Sequence, residues 1–256
     1  VAWNFPVMNV VRKIGGALAA GCTITIKPSE ETPGTAIAIG RAFVEAGLPP
    51  GVLNIVFGVP SEVSEYLCSS SIPRKLSFTG SVPVGKHLQK LAAENMIRCT
   101  MELGGHSPLM VFDDIDIKKA AKISVAGKFR NAGQVCVSVQ RVFAHSSIAR
   151  KAAITLSELA ASMKVGDPTS LETEVGPLIN PGEVNRVHEW VQAAISSGAE
   201  CLTGGERYSS TCYQPTVLFN PPSHANVSML EIFGPVICVY SYDDIDTAID
   251  QANSLP

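Results

Sequence analysis

The chain has 256 residues, 46% of them apolar and 17% charged, with a formal net charge of −3, enough for one large domain or two modest ones around a real core. There is no basic field for nucleic acid and no run of Lys or Arg suited to an anionic membrane surface. Every apolar stretch is broken well short of the roughly 20 residues that span a bilayer, so small-molecule partners are expected, with neither nucleic acid nor membrane.

In chain order, Val7, Val11, Ile14 and Leu18 share a helix face, and Gly21 ends that helix. "TITIK" alternates as a strand up to Pro28, Thr32 and Pro33 read as N-cap and first helical position, and that helix closes at Gly47. "VLNIVFG" predicts a second, buried strand and "KLSFTG" a third; Val84, Leu88, Leu91 and Ala92 line one face of the next helix, and "RCTMELGG" is a fourth strand. This alternation of strand and helix predicts a wound parallel α/β sheet. After Gly105 the rhythm changes: "SPLMVFDD", a helix ridged by Ile117, Ala121, Val125 and Phe129, a loop holding Cys136, then the strand "VSVQRVFAH". A domain boundary is therefore expected near Gly104 and Gly105. The chain opens at Val1 without an initiator Met and halts at "QANSLP", which reads as a central piece of something longer.

Ligands of wound sheets bind beyond the carboxyl ends of strands, so the residues there come first. Lys27 and Glu30 in "KPSE" can hydrogen-bond ribose hydroxyls, or simply be a solvated pair at a strand end. In "FTGSVPVG", Gly80 permits a tight turn, Ser81 can cap, and the helix after it points backbone N–H groups at whatever lies ahead, a pyrophosphate or only solvent. In "MELGG", Glu102 ends an otherwise apolar or small strand. It is either solvated in a cleft, desolvated enough to serve as a general base, or a structural carboxylate capping backbone N–H groups.

Seven cysteines are scattered at positions 22, 68, 99, 136, 201, 212 and 238 without a C-x-x-C pair. That pattern argues against a disulfide framework and against a zinc site, and favours a reducing cytoplasm with no metal. Cys136 follows a glycine turn in "NAGQVC". A free thiol has a pKa of about 8.5, so a nucleophilic role needs an activating environment. None of His87, His106, His145, His188 or His224 stands as an evident Cys-His partner, which disfavours a cysteine hydrolase and leaves either an inert buried thiol or a nucleophile whose product a carboxylate-activated water removes.

Taken in order, "WNFP" (Trp3 to Pro6), "KPSE", "FTGSVPVG" (Phe78 to Gly85), "MELGG" (Met101 to Gly105), "GQVC" (Gly133 to Cys136) and "EIFGPV" (Glu231 to Val236) resemble the NAD(P)-dependent aldehyde dehydrogenase superfamily over the whole chain. The resemblance implies a Rossmann-like cofactor-binding domain over 1–104 and a second α/β catalytic domain over 105–256, each truncated at its outer end. It makes Cys136 the nucleophile toward the aldehyde carbon, with the Asn4 amide and the Cys136 backbone N–H holding the oxyanion, one such donor contributing about 3 to 4 kcal/mol. Glu102 becomes the base for thioester hydrolysis. Because coenzyme A-using acylating relatives generally lack that base, its presence implies a free acid as product.

For the cofactor, the resemblance assigns Lys27, Ser29 and Glu30 to the adenosine ribose, Gly80 and Ser81 to the pyrophosphate, Val84 to the adenine side, and Glu231 with Phe233 to the nicotinamide ribose and ring. Trp3, Gly58, Phe78, Thr79 and Leu103 complete the lining. A carboxylate at Glu30 accepts a hydrogen bond from a 2′-hydroxyl but repels a 2′-phosphate by about 4 kcal/mol at 4 Å and an effective dielectric of about 20. NAD is therefore expected over NADP, which Ser29 and Lys27 can still accommodate. "CVSVQR" is similar to lactaldehyde- and semialdehyde-type members, while Ala2 stands where members often have Pro. The implied assembly is a homodimer or homotetramer. The rival reading is a non-catalytic or inactive truncated protein on the same fold.

Overall fold

The structure is a computed structural model that describes residues 1–255. The chain divides into two compact units, Val1–Gly104 and the remainder from Gly105, and each is described separately.

The first unit runs α1 (Pro6–Ala19), β1 (Ile24–Ile26), α2 (Pro33–Glu45), β2 (Leu53–Ile55), α3 (Pro60–Ser69), β3 (Lys75–Gly80), α4 (Val82–Ala93) and β4 (Arg98–Leu103). All four helices carry Pro at the first or second position, where a fixed φ helps and no N–H is needed. Gly21 and Gly47 follow α1 and α2 with φ of 70° and 82°, values a side chain would disfavour. The strands pair in parallel as β1 with β2 and β3 with β4. Each pair is joined by the helix between its strands, as a parallel connection requires.

Packing departs from the sequence reading at several points. On α1 the buried residues are Asn9, Val10 and Ile14, whereas Val7 and Val11 are 58% and 45% exposed. The stripe is turned because Asn9 faces inward to donate to the Ala2 carbonyl at 3.3 Å. Thr32 occupies the N-cap position of α2 but its side chain makes no capping bond. The β2 ladder covers only three residues, half-buried at Leu53 and Ile55 with Asn54 outside, so it is an alternating strand and not a fully buried one. On α4 the buried set is Gly85, Leu88 and Ala92, with Val84 exposed.

The second unit runs β5 (Pro108–Val111), α5 (Ile117–Phe129), a 3-10 turn (Arg130–Gly133), β6 (Arg141–His145), α6 (Ser146–Ala161), α7 (Pro181–Ser196), β7 (Glu200–Thr203), β8 (Thr216–Phe219), α8 (Asn226–Met229), β9 (Val236–Tyr242) and α9 (Ile245–Asn253). Its sheet has the order β5-β6-β9-β8-β7, parallel except for β7 at the edge. The central strands read as continuous apolar runs, and Val236 to Val239 are fully buried, as in a parallel sheet covered on both faces. Side chains of Asp116, Asn180 and Asp244 cap α5, α7 and α9.

The expected strand "VSVQRVFAH" starts only at Arg141. Residues before it leave the ladder because Gln140 and Arg141 both direct their N–H groups to the Ser107 carbonyl, at 3.1 and 3.3 Å. Arg141 itself is buried. Its guanidinium donates to the carbonyls of His106 (2.8 Å), Gln251 (3.1 Å) and Ala252 (2.9 Å), tying the end of α9 to the sheet by charge-assisted bonds at a helix C-terminus.

Candidate active site

In the first unit the predicted residues gather at the strand ends. Asn4 precedes α1, and Asn9 one turn into that helix donates to its Oδ1 at 3.4 Å, which turns the Asn4 amide so that its NH2 is the donor end. At the end of β1, Lys27 and Glu30 form an ion pair, Lys27 mostly covered and Glu30 largely exposed. The Lys27 hydrogen bond holds the Glu30 carboxyl below its ordinary pKa, so the group is ionised at neutral pH. Ser29 Oγ accepts from the Glu31 N–H at 3.2 Å, and Gly58 lies just after β2.

At the β3–α4 junction, Gly80 is the last residue of its strand, and no positive φ marks it. Its lack of a side chain serves packing and not a turn: a Cβ there would lie 2.4 Å from the Phe78 ring. Ser81 is the N-cap of α4 but its hydroxyl makes no capping bond, and the first turn holds no acidic residue. First-turn N–H groups uncommitted to a side-chain cap, on a turn without an acidic residue of its own, suit an anionic phosphate. The parallel register sets Glu102 beside Thr79 and Leu103 beside Gly80, so base candidate and phosphate turn sit on adjacent strands. Glu102 is exposed. Of the settings open to it in the sequence, the structure chooses solvation.

Sequence reasoning missed Lys13. From α1 it donates to Ser77 Oγ on β3 at 2.9 Å. Burial pushes its pKa down, while the charge of Glu102 acts in the opposite direction. Its spacing of four from Asn9 was a visible signal once that face of α1 was known to turn inward.

In the second unit Cys136 is partly exposed on a backbone of unusual shape. Asn131 and Ala132 have φ/ψ of 51°/37° and 53°/33°, and Gly133 follows at φ 74°. Left-handed conformations cost non-glycine residues about 1–3 kcal/mol each and persist only where surroundings over-determine them. Here Gln134 does so from a buried position. It donates to the carbonyls of Asn131 (3.1 Å) and Pro177 (3.3 Å) and accepts from the Ile179 N–H at 2.8 Å.

The same loop is locked to the Glu231–Gly234 segment. Fully buried Gln140 accepts from the Ile232 N–H at 2.7 Å and donates to the Gly105 carbonyl at 2.9 Å. Arg186 of α7 donates to the Ile232 carbonyl at 2.7 Å. A Cβ on Gly133 would fall 2.1 Å from the Gly234 oxygen. Thus the structure brings Cys136 and the Glu231/Phe233 turn onto one clamped scaffold, with Phe233 held at φ 48°. The clamping residues Gln134, Gln140 and Arg186 were not singled out from sequence, since a lone Gln or Arg carries no spacing signal.

Other titratable groups are placed elsewhere. His145 pairs with Ser147 Oγ at 2.7 Å and His188 with Tyr213 Oη at 3.3 Å. All seven cysteines are free thiols. Among the described residues no cluster of three or more His, Cys, Asp or Glu could hold a metal, and no helix is long and apolar enough to cross a membrane.

A partly exposed thiol on a clamped loop of one unit, and an uncapped helix start at the end of a parallel strand in the other, lie on folds of the wound α/β class. The model of the aldehyde dehydrogenase family matches residues 1–256, and the chain belongs to that family. It is 44% identical over 253 residues to the mitochondrial succinate-semialdehyde dehydrogenase of Arabidopsis thaliana, covering 98% of this chain and 48% of that protein. It is 39% identical over 253 residues to the NADP(+) succinate-semialdehyde dehydrogenase GabD of Escherichia coli strain K12, covering 98% and 52%. The crystal structure of lactaldehyde dehydrogenase from Escherichia coli superposes with a TM-score of 0.95 at 36% identity, covering 99% of this chain and 54% of that one. The chain spans about half the length of the curated relatives it matches.

Proposed function

We propose that this chain carries the catalytic residues of a non-acylating aldehyde dehydrogenase that prefers NAD and oxidises a small semialdehyde to the corresponding acid. The observation that carries the reading is the loop around Cys136, where two strained non-glycine residues and a buried Gln134 hold a partly exposed thiol in place. A semialdehyde is supported by the succinate-semialdehyde dehydrogenases among the relatives, and a small 2-hydroxyaldehyde is the other substrate to assay, given the lactaldehyde dehydrogenase likeness.

In this reading residues 1–104 bind the cofactor and residues 105–256 hold the nucleophile. Lys27, Ser29 and Glu30 take the adenosine ribose, Gly80 and Ser81 the pyrophosphate, Val84 the adenine side, and Glu231 and Phe233 the nicotinamide end, with Trp3, Gly58, Phe78, Thr79 and Leu103 lining the path. The bound dinucleotide supplies the two-electron acceptor. The Cys136 thiolate adds to the aldehyde carbon, and the Asn4 amide with the Cys136 N–H receives the oxyanion. Oxidation of that adduct leaves a thioester on Cys136. Glu102, solvated at the end of β4, takes a proton from water as the water attacks the thioester, releasing acid and thiol. An ionised Glu30 favours the 2′-hydroxyl of NAD over a 2′-phosphate, although GabD bears NADP(+) in its name. Free thiols throughout support a reducing cytoplasm; the assembly we propose is a homodimer or homotetramer.

The test is the whole gene product with NAD or NADP and a panel of semialdehydes, lactaldehyde and aromatic aldehydes, followed by absorbance of reduced cofactor. Cys136→Ser is expected to abolish turnover. Glu102→Gln is expected to retain one burst of reduced cofactor and lose the steady state. A fully active Glu102→Gln enzyme overturns the base assignment, and no cofactor reduction with any aldehyde favours the non-catalytic reading.

A further inference from the structure

Behind the cysteine loop lies a buried polar cluster that the proposed chemistry does not use. Lys128, near the end of α5, is 0% exposed, and its ammonium has no hydrogen-bond partner. Ser138 Oγ and one oxygen of Glu231 are likewise buried without a hydrogen-bond partner. Backbone geometry explains the gathering. Gly127 approaches Val139 so closely that a Cβ would stand 3.3 Å from its methyl, which seats the end of α5 on segment 138–140. That segment in turn holds the Glu231 turn through the Gln140–Ile232 bond of 2.7 Å.

Burial lowers the Lys128 pKa from 10.5 to about 7, so the ammonium is held below that pH, where a buried cation needs a counter-charge. Burial drives His106 down to about 4, so its imidazole is neutral at pH 7; it pushes Cys238 up to about 12 and Tyr240 higher still, so both keep their protons. Arg141 is cationic but committed to three carbonyls. Among the described residues whose charge acts on Lys128, that leaves the Glu231 carboxylate as the negative one, acting through space, since no hydrogen bond joins the two. Burial raises the Glu231 pKa, while Lys128, Arg186 and the Gly105 backbone act against that rise.

We propose that Lys128 is a positioning residue for Glu231, its buried ammonium fixing the carboxylate at the place from which it would receive the nicotinamide ribose. This rests on the role proposed above for Glu231. Lys128 touches neither substrate nor cofactor, and it acts only through the charge it presents to that side chain. A buried charge kept for this purpose is unfavourable for folding, so stability and cofactor affinity respond to its removal in opposite directions.

Calorimetric titration of NAD into the whole gene product at pH 6, where Lys128 carries its charge, tests this. Lys128→Met is expected to weaken NAD binding about tenfold without lowering the thermal midpoint, and Lys128→Gln is expected to do the same should the Met variant not fold. Glu231→Gln is expected to weaken NAD binding in the same direction, and adding Lys128→Met to it is expected to change nothing more. If Glu231→Gln weakens binding and Lys128→Met does not, or if the two effects add in the double variant, the proposal is overturned while the Glu231 reading stands. If Glu231→Gln leaves NAD binding unchanged, the Glu231 reading fails and takes the proposal with it.

Discussion

Gly133→Ala isolates the geometry that presents Cys136. At φ 74° an alanine costs about 1–2 kcal/mol in backbone strain alone. Its Cβ would stand 2.1 Å from the Gly234 oxygen, 2.5 Å from its carbonyl carbon and 3.1 Å from Pro235 N, against an ordinary carbon–oxygen approach of about 3.3 Å. Relief requires a shift of more than about 1 Å. The Gly234 oxygen cannot retreat freely, because it accepts from the Val236 N–H at 2.8 Å at the start of β9. Moving the cysteine loop instead disturbs Gln134 and its bonds to Pro177 and Ile179. Strain, a lost hydrogen bond of about 1 kcal/mol and overpacking of about 1–3 kcal/mol together give a destabilisation of roughly 3–6 kcal/mol. For a chain of this size that lowers the thermal midpoint by about 10 °C. Calorimetry, with the alkylation rate of Cys136 as a local probe, checks it. Gly16→Ala is the control: Gly16 lies inside α1 with nothing near a built Cβ and is expected to gain about 0.5–1 kcal/mol. A Gly133→Ala protein within about 1 kcal/mol of the parent, with unchanged thiol reactivity, would refute the argument.

Two further outcomes are expected. Arg141→Met removes three charge-assisted bonds and takes that donor from the carbonyls of His106 and Ala252, while Gln251 keeps its bond from Ser254 Oγ; the loss costs about 2–4 kcal/mol. It also releases α9 first, read as faster amide exchange over Ile245–Asn253 than over β9. The pH dependence follows from Lys128 and His106, whose folded pKa values fall to about 7 from 10.5 and about 4 from 6.5. Between each pair of values the unfolded chain binds more protons than the folded one, so stability rises with pH from about 4 to 6.5 and again above about 7. The rise ends near pH 9, where the Cys238 thiol, pushed up to about 12 when folded, ionises first in the unfolded state. Lys128→Met is expected to flatten the upper rise in chemical-denaturation titrations, and a stability flat from pH 7 to 8.5 in the parent would contradict this account.

Much was legible in the sequence because it is local. Strand and helix periods, prolines opening helices, and the glycines after α1 and α2 depend on a few neighbouring residues and on backbone sterics. The motifs with Lys27, Glu30, Glu102, Cys136 and Glu231 are likewise short, and their order identified the family. Side-chain burial was less legible, as Val7, Val11 and Val84 show, since a helix with apolar residues around much of its circumference has several candidate stripes. Tertiary structure alone decided which stripe turned inward, through the bond from Asn9 to Ala2, and what the glycines at 80 and 133 are for: space beside a ring in one case and beside a carbonyl in the other. It alone also revealed Gln134, Gln140 and Arg186 as the clamps, and Lys128 as a buried cation facing Glu231. These depend on residues 43 to 103 positions apart in the chain meeting in space. Periodicity reports what a residue's own element needs; only the folded chain sets which distant charge or carbonyl that residue must answer.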